Sequence, residues 1–144
     1  TRISRSLGYS YDETQAMIAR SFMISADNGH ALHPNHGEYA DPVNAPRLNE
    51  GIVIKFNAQQ KYATDGFSAA FFRDLCRRAK VPTQTFTNRS DIPGGSTLGN
   101  ISNTKVSMPT VDIGLPQLAM HSSYETAGTK DTAYLVMACT ALFE

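Results

Sequence analysis

Between Ser25 and Asn35 the chain gathers an acid, two histidines, a glycine and a proline: Asp27, His30, His33, Gly29 and Pro34. The apolar run Phe22-Met23-Ile24 leads into them. A short apolar run that stops at an aspartate predicts a buried strand delivering a carboxylate to a loop. Ligands of open α/β sheets bind just beyond the carboxyl ends of strands, so a carboxylate followed there by imidazoles can hold a cation. The competing reading is a turn or helix cap with hydrogen-bonded histidines nearby. His121 also lies beyond an apolar run, Val111-Asp112-Ile113-Gly114. No His-Glu-x-x-His spacing joins these donors, and spacing alone defines no metal centre.

Two further stretches carry chemistry. Lys55 stands inside the apolar run Gly51-Ile52-Val53-Ile54-Lys55-Phe56. A lysine in a buried strand needs a partner or a cleft to face; the alternative is an edge strand with Lys55 in water. Gly94-Gly95-Ser96-Thr97 lets the backbone approach a ligand, or simply forms a loop in which Ser96 or Thr97 caps the next helix. The Gly-Lys-Ser/Thr signature of a phosphate loop is absent.

The elements that must position these residues alternate. Tyr11–Arg20 reads as a helix capped by Asp12, with Thr14, Met17 and Ile18 at helical spacing. Phe22–Ala26 is the first strand. Residues 27–50 form a long loop with His30, His33 and His36; loops of that length are commonly functional. Residues 51–56 form the second strand, and an amphipathic helix runs from Thr64-Asp65 to Lys80, where Pro82 stops it. Thr83–Thr87 and Pro109–Gly114 are strands three and four. Asp131–Phe143 closes the chain as a helix with Ala133, Val136, Met137, Thr140 and Leu142 on its core face. Helices alternating with strands predict a layered α/β domain.

Composition narrows the classes. Thirteen basic and thirteen acidic residues cancel in a chain of 144 residues. That excludes nucleic-acid binding by bulk charge. The cluster Arg77-Arg78-Ala79-Lys80 reads as the last turn of a helix, where positive charge suits the dipole. No apolar run approaches the length of a membrane span. Cys76 and Cys139 fall in helical patterns and read as thiols of a reducing compartment rather than a disulfide or zinc pair. Thr1–Leu7 reads as the tail of an element, so the chain is expected to be part of something longer.

In this order the motifs resemble the aspartyl aminopeptidase family of two-zinc exopeptidases, over nearly the whole chain from Phe22 onward. They are Ser25-Ala26-Asp27 with His30 and His33-Pro34-Asn35, Gly51–Lys55, Lys61-Tyr62-Ala63-Thr64, Arg89–Gly99 and Asp112–Ser122. The resemblance implies a three-layer α/β/α sandwich with a mixed sheet, of zinc-exopeptidase type. It implies that Asp27 binds one zinc and His121 the other. It places His30 near the substrate, Lys55 and Tyr62 in the pocket for an acidic first side chain, Gly95 and Ser96 in a substrate-cradling turn, and Met120 on the flank of the cleft. A zinc pair in such a site activates a bridging water and polarises the scissile carbonyl, with a glutamate as general base.

The family's first zinc-binding histidine, its bridging aspartate and its Glu-Glu pair precede this segment, and its dimerisation domain has no counterpart here. The resemblance therefore implies that residues 1–144 are the C-terminal part of the catalytic domain, with no catalytic acid or base of their own. Asn44 and Ala45 stand where many members carry a histidine and often a basic residue. The expected function is removal of N-terminal residues from peptides, Asp or Glu preferred. The expected cofactor is zinc, two ions in the complete site. Expected partners are the N-terminal part of the same enzyme and further copies in a large homo-oligomer, in the cytoplasm, without nucleic acid or membrane. The alternative is a catalytically silent binding or assembly module of the same fold.

Overall fold

The computed structural model describes residues 2–144. Four strands form the main sheet: β1 (Met23–Ala26), β3 (Ile52–Phe56), β4 (Thr83–Thr87) and β5 (Thr110–Gly114). Their order is β1-β5-β3-β4. β1 and β5 are parallel, β5 and β3 antiparallel, β3 and β4 parallel. The sheet is therefore mixed, as expected. β3 lies inside it, which overturns the edge-strand reading of Lys55.

Successive side chains on a strand face opposite sides. Ile52 and Ile54 on β3 and Val111 and Ile113 on β5 share one core with α3 (Gly66–Arg78) and α5 (Thr129–Phe143). Phe72, Leu75, Cys76 and Ala138 complete it from the helices. Fully burying an aliphatic or aromatic side chain of this kind stabilises a fold by about 1.5–3 kcal/mol. The opposite face carries Val53, Tyr62 and Phe86 as a smaller cluster, with Asp112 and the short α4 (Leu98–Asn103) beside it. The three layers are thus unequal: two long helices below, one short helix and loops above.

A second sheet continues the first. β2 (Gly29–His30) and β6 (Pro116–Leu118) are parallel, extending the β1–β5 pair, and β7 (Thr126–Ala127) pairs with β6. At the break between the sheets the backbone of Asp27 lies where a Cβ on Gly114 would stand, so only glycine fits position 114. The expected uniform loop over 27–50 in fact contains β2 and a 3₁₀ turn at Gly37–Tyr39. Two-residue strands have no periodicity to read, so β2 and β7 had no sequence signal.

Capping also departs from expectation. α2 (Tyr11–Ala19) is capped by Ser10, not Asp12. The Ser10 hydroxyl accepts from the Glu13 N–H at 3.2 Å, and the Ser10 N–H donates to Glu13 Oε2 at 2.8 Å. Asp12 instead sits in the first turn, where its charge suits the dipole. Of the three helix residues noted, Thr14 is buried and Met17 is exposed. Thr97 occupies the cap position of α4 but makes no capping bond; its hydroxyl goes to Asp112. α3 follows the reading closely, with Asp65 as cap. Upstream, Arg2–Ser6 form a short helix, α1, and Thr1 lies outside the described residues.

α5 is the clearest correction. Val136 is 61% exposed and Met137 43%, while Ala138 is buried and Tyr134, Leu135, Ala141 and Leu142 pack on the core. α5 is apolar on every side, so periodicity could not choose the face; contact with α3 does. Cys76 is buried, Cys139 is half-buried, and both are free thiols. Among the described residues no helix is long and apolar enough to cross a membrane.

Candidate functional site

The upper face of the sheet opens into a cavity of about 560 Å³. All eight residues expected at the site line it: Asp27, His30, Lys55 and Tyr62 from one half of the chain, Gly95, Ser96, Met120 and His121 from the other. Asn44 and Ala45 line it too.

Asp27 follows β1, and its N–H still bonds Ile113 O at 3.0 Å. Its carboxylate is 56% exposed and receives no hydrogen bond among the described residues; Lys55 Nζ stands 3.9 Å from Oδ2. Lys55 itself is 3% exposed in its side chain. Its ammonium donates to Asn28 O at 2.9 Å and lies 5.6 Å from the centre of the Tyr62 ring. Burial lowers the Lys55 pKa, and the carboxylates of Asp27 and Asp112 oppose that shift.

His30, on β2, has its pKa lowered by burial and then by the positive charges of Lys55 and His121. The ring is thereby biased toward the neutral form, able to offer one donor and one acceptor. The Tyr62 hydroxyl donates to Asn88 Oδ1 at 3.3 Å, and burial together with the charges of Asp112 and Asp27 pushes its pKa up, keeping the phenol protonated.

His121 is exposed to the cavity and sits at φ +67°, two residues after Ala119 at φ +54°. Left-handed backbone in non-glycine residues costs of order 1–3 kcal/mol and gathers at functional sites. The turn is held by the His121 N–H bond to Glu125 Oε1 at 2.7 Å, while the ring has no hydrogen-bond partner among the described residues. Gly95 and Ser96 ride on a turn fastened from both sides: Lys61 Nζ donates to Gly94 O at 2.8 Å, and the Ser96 hydroxyl donates to Lys61 O at 3.3 Å. Met120 is half-buried at the flank.

Three residues without a role assigned from sequence prove structural to the site. Asn28 accepts from Lys55 through its carbonyl and bonds Gln117 Oε1 through Nδ2 at 2.9 Å. Arg89 donates to Glu38 O and to Asp91 Oδ2, tying the 27–50 segment to the glycine turn. Asp112 is buried beneath the cavity; its signal was a carboxylate at the odd position of an otherwise apolar strand. At the mouth, His33 and His36 lie with ring centres 5.0 Å apart, and His36 Nδ1 is 3.0 Å from Glu38 Oε1.

Asp27 and His121 offer a carboxylate and an imidazole, donors that zinc accepts, with no competing hydrogen bonds on them among the described residues. Their chemistry fits the metal. Among the described residues, however, no three His, Cys, Asp or Glu side chains stand close enough to hold an ion. Catalytic zinc takes three protein ligands, more than these two side chains offer.

Comparison with known proteins gives one consistent answer. The family described as "Aminopeptidase I zinc metalloprotease (M18)" matches residues 1–143. A relative from Clostridium acetobutylicum named "Probable M18 family aminopeptidase 2" is 50% identical over 134 residues, covering 93% of this chain and 31% of its own length. The chain thus spans about a third of the curated relatives it matches. Among solved structures, the Ape4 and Nbr1 complex is similar with a TM-score of 0.93 at 38% identity, over 96% of this chain and 26% of that one. The S. cerevisiae mApe1 dodecamer follows with a TM-score of 0.77 at 29% identity, over 90% and 28%.

Proposed function

The chain belongs to the M18 family of aminopeptidase I zinc metalloproteases, and from that premise we propose that it serves a zinc aminopeptidase removing N-terminal Asp or Glu from peptides. Residues 1–144 form the C-terminal part of the catalytic domain, and the N-terminal part of the same enzyme completes the donor set and brings the general base. Support comes from the two open donors beside a cavity and from the chain's share of its relatives' length.

Asp27 and His121 would each hold one of two zinc ions. Zinc, when bound, supplies Lewis-acid polarisation of the scissile carbonyl. The chain's own side chains bind and orient. Lys55 carries the acidic preference: a buried strand lysine whose ammonium sits at the cavity floor suits a substrate carboxylate, because a charge-assisted bond is strong where water is excluded. The protonated Tyr62 adds a donor beside it, and neutral His30 can accept from or donate to the substrate backbone. Gly95 and Ser96 offer the cradle, and Met120 an apolar flank. The dodecameric relative supports a large homo-oligomer, and the free thiols Cys76 and Cys139 suit the cytoplasm.

One observation favours a second reading, the silent module: the described residues close no metal site alone. Metal analysis of the complete enzyme, with the N-terminal part present, separates the two. That enzyme should contain zinc, lose aminopeptidase activity to a chelator and regain it with added zinc. Asp27→Ala and His121→Ala should each lose zinc and activity together. A complete enzyme that folds, binds no zinc and hydrolyses no Asp- or Leu-terminal substrate is the silent module.

A further inference from the structure

Asp112 is fully buried in β5, on the face opposite Val111 and Ile113. Its two oxygens have different clients. Oδ2 accepts from the Ala63 N–H at 2.5 Å, and Oδ1 from the Thr97 hydroxyl at 2.7 Å. Its N–H donates to the Thr64 hydroxyl at 2.9 Å. The first client belongs to the turn that carries Tyr62, the second to the turn that carries Gly95 and Ser96. α4 closes the back of the carboxylate: a Cβ on Gly99 would meet Asp112 Oδ1 at 2.5 Å and the Ser25 Cβ at 2.7 Å.

Burying a carboxylate costs several kcal/mol before its bonds offset it. An apolar side chain would fill this place more cheaply, as on the other face of the same strand. What an apolar residue cannot do is bond two turns at one point. We infer that Asp112 is a positioning residue that fixes the Tyr62 turn and the Gly95–Ser96 turn relative to each other, so that both present a ready-made cradle to the substrate. The inference rests on the peptidase reading for its substrate. Its geometry stands apart from that reading, and Asp112 touches no reacting atom. Misplacement of positioned groups by as little as 1 Å costs orders of magnitude in rate, so such a clamp has a kinetic consequence.

Thr97→Val removes one client bond at nearly constant volume, and Thr97→Ser restores the donor. Both are measured in the complete enzyme by steady-state kinetics on Asp-terminal substrates and by amide hydrogen exchange over residues 61–64 and 94–99. Thr97→Val should raise KM about tenfold with kcat within about threefold, and Thr97→Ser should return it to near the starting value. Exchange should quicken in both turns, including the one that Thr97 does not belong to. Asp112→Leu removes both client bonds at similar volume and should do the same more strongly, about 100-fold in kcat/KM. If Asp112→Leu does not fold, Thr97→Val decides. Unchanged KM in Thr97→Val, or faster exchange confined to 94–99, overturns the inference whatever happens to Tm. If the unmodified enzyme cleaves no peptide, the peptidase reading fails, and spread of exchange to 61–64 still decides whether the carboxylate couples the turns.

Discussion

On β3, Ile52 and Ile54 face α3 and α5, while Val53 and Lys55 face the other side, Val53 packing with Tyr62 and Phe86 and Lys55 lining the cavity. β5 repeats the division: Val111 and Ile113 point one way and Asp112 the other. The lower face is an aliphatic and aromatic core holding Phe72, Leu75 and Cys76. Within it the Cys76 thiol is pushed by burial up to about 12 and stays protonated. The upper face buries an ammonium and a carboxylate, and each finds hydrogen-bond partners. The same strands therefore hold the molecule together on one side and present chemistry on the other. Period-two alternation makes this possible, because neighbouring residues on one strand answer to different demands.

If that division is right, damage below should appear as lost stability and damage above as lost selectivity. The largest effect belongs to Phe72→Ala, which should cost about 3–5 kcal/mol through lost burial and a cavity. Urea melts measure it, and kcat/KM per folded molecule should stay close to the original. A loss below about 1 kcal/mol would mean that the helix face is not where stability resides.

A smaller effect sharpens the same point at the edge of that face. Asp65 caps α3, accepting from the Ser68 N–H at 2.7 Å, and that bond holds its pKa below the ordinary 3.8. Asp65→Ala should cost about 0.5–2 kcal/mol near neutral pH. Because the folded pKa is lowered, the contribution is present above the unfolded value and fades as pH falls through the folded one. Melting curves of the two proteins should approach each other below about pH 3.8, where the unfolded carboxyl takes up its proton first. A gap that stays constant into strong acid would remove Asp65's charge from the explanation.

Legibility in the sequence followed the same division. α3 was readable because its apolar residues lie along one stripe, with a cap before it and a proline after it. α5 was not, because both of its faces are apolar and only the packing partner distinguishes them. β1, β3 and β5 were readable as apolar runs and β4 as a polar, threonine-rich one, and Lys55 and Asp27 stood out as charges within or just after the apolar runs. The family's motifs placed His30, Tyr62, Gly95, Ser96, Met120 and His121, and all line the cavity. Asp112 went without a role because its partners, Ala63 and Thr97, are remote in sequence, and no local pattern announces a bond between them. The same holds for Asn28, whose carbonyl meets Lys55 only once β1 and β3 are set in one sheet.

The most direct test of the division is the substrate preference of Lys55→Ala in the complete enzyme. Its kcat/KM on Asp- and Leu-terminal peptides is compared with that of the unmodified protein. The Asp substrate should lose about 100-fold, the scale of one hydrogen bond to a charged group, while the Leu substrate stays within about threefold. Equal losses on the two substrates would contradict the assignment. Lys55 would then hold Asp27 and Asn28 in place without reading the substrate's side chain.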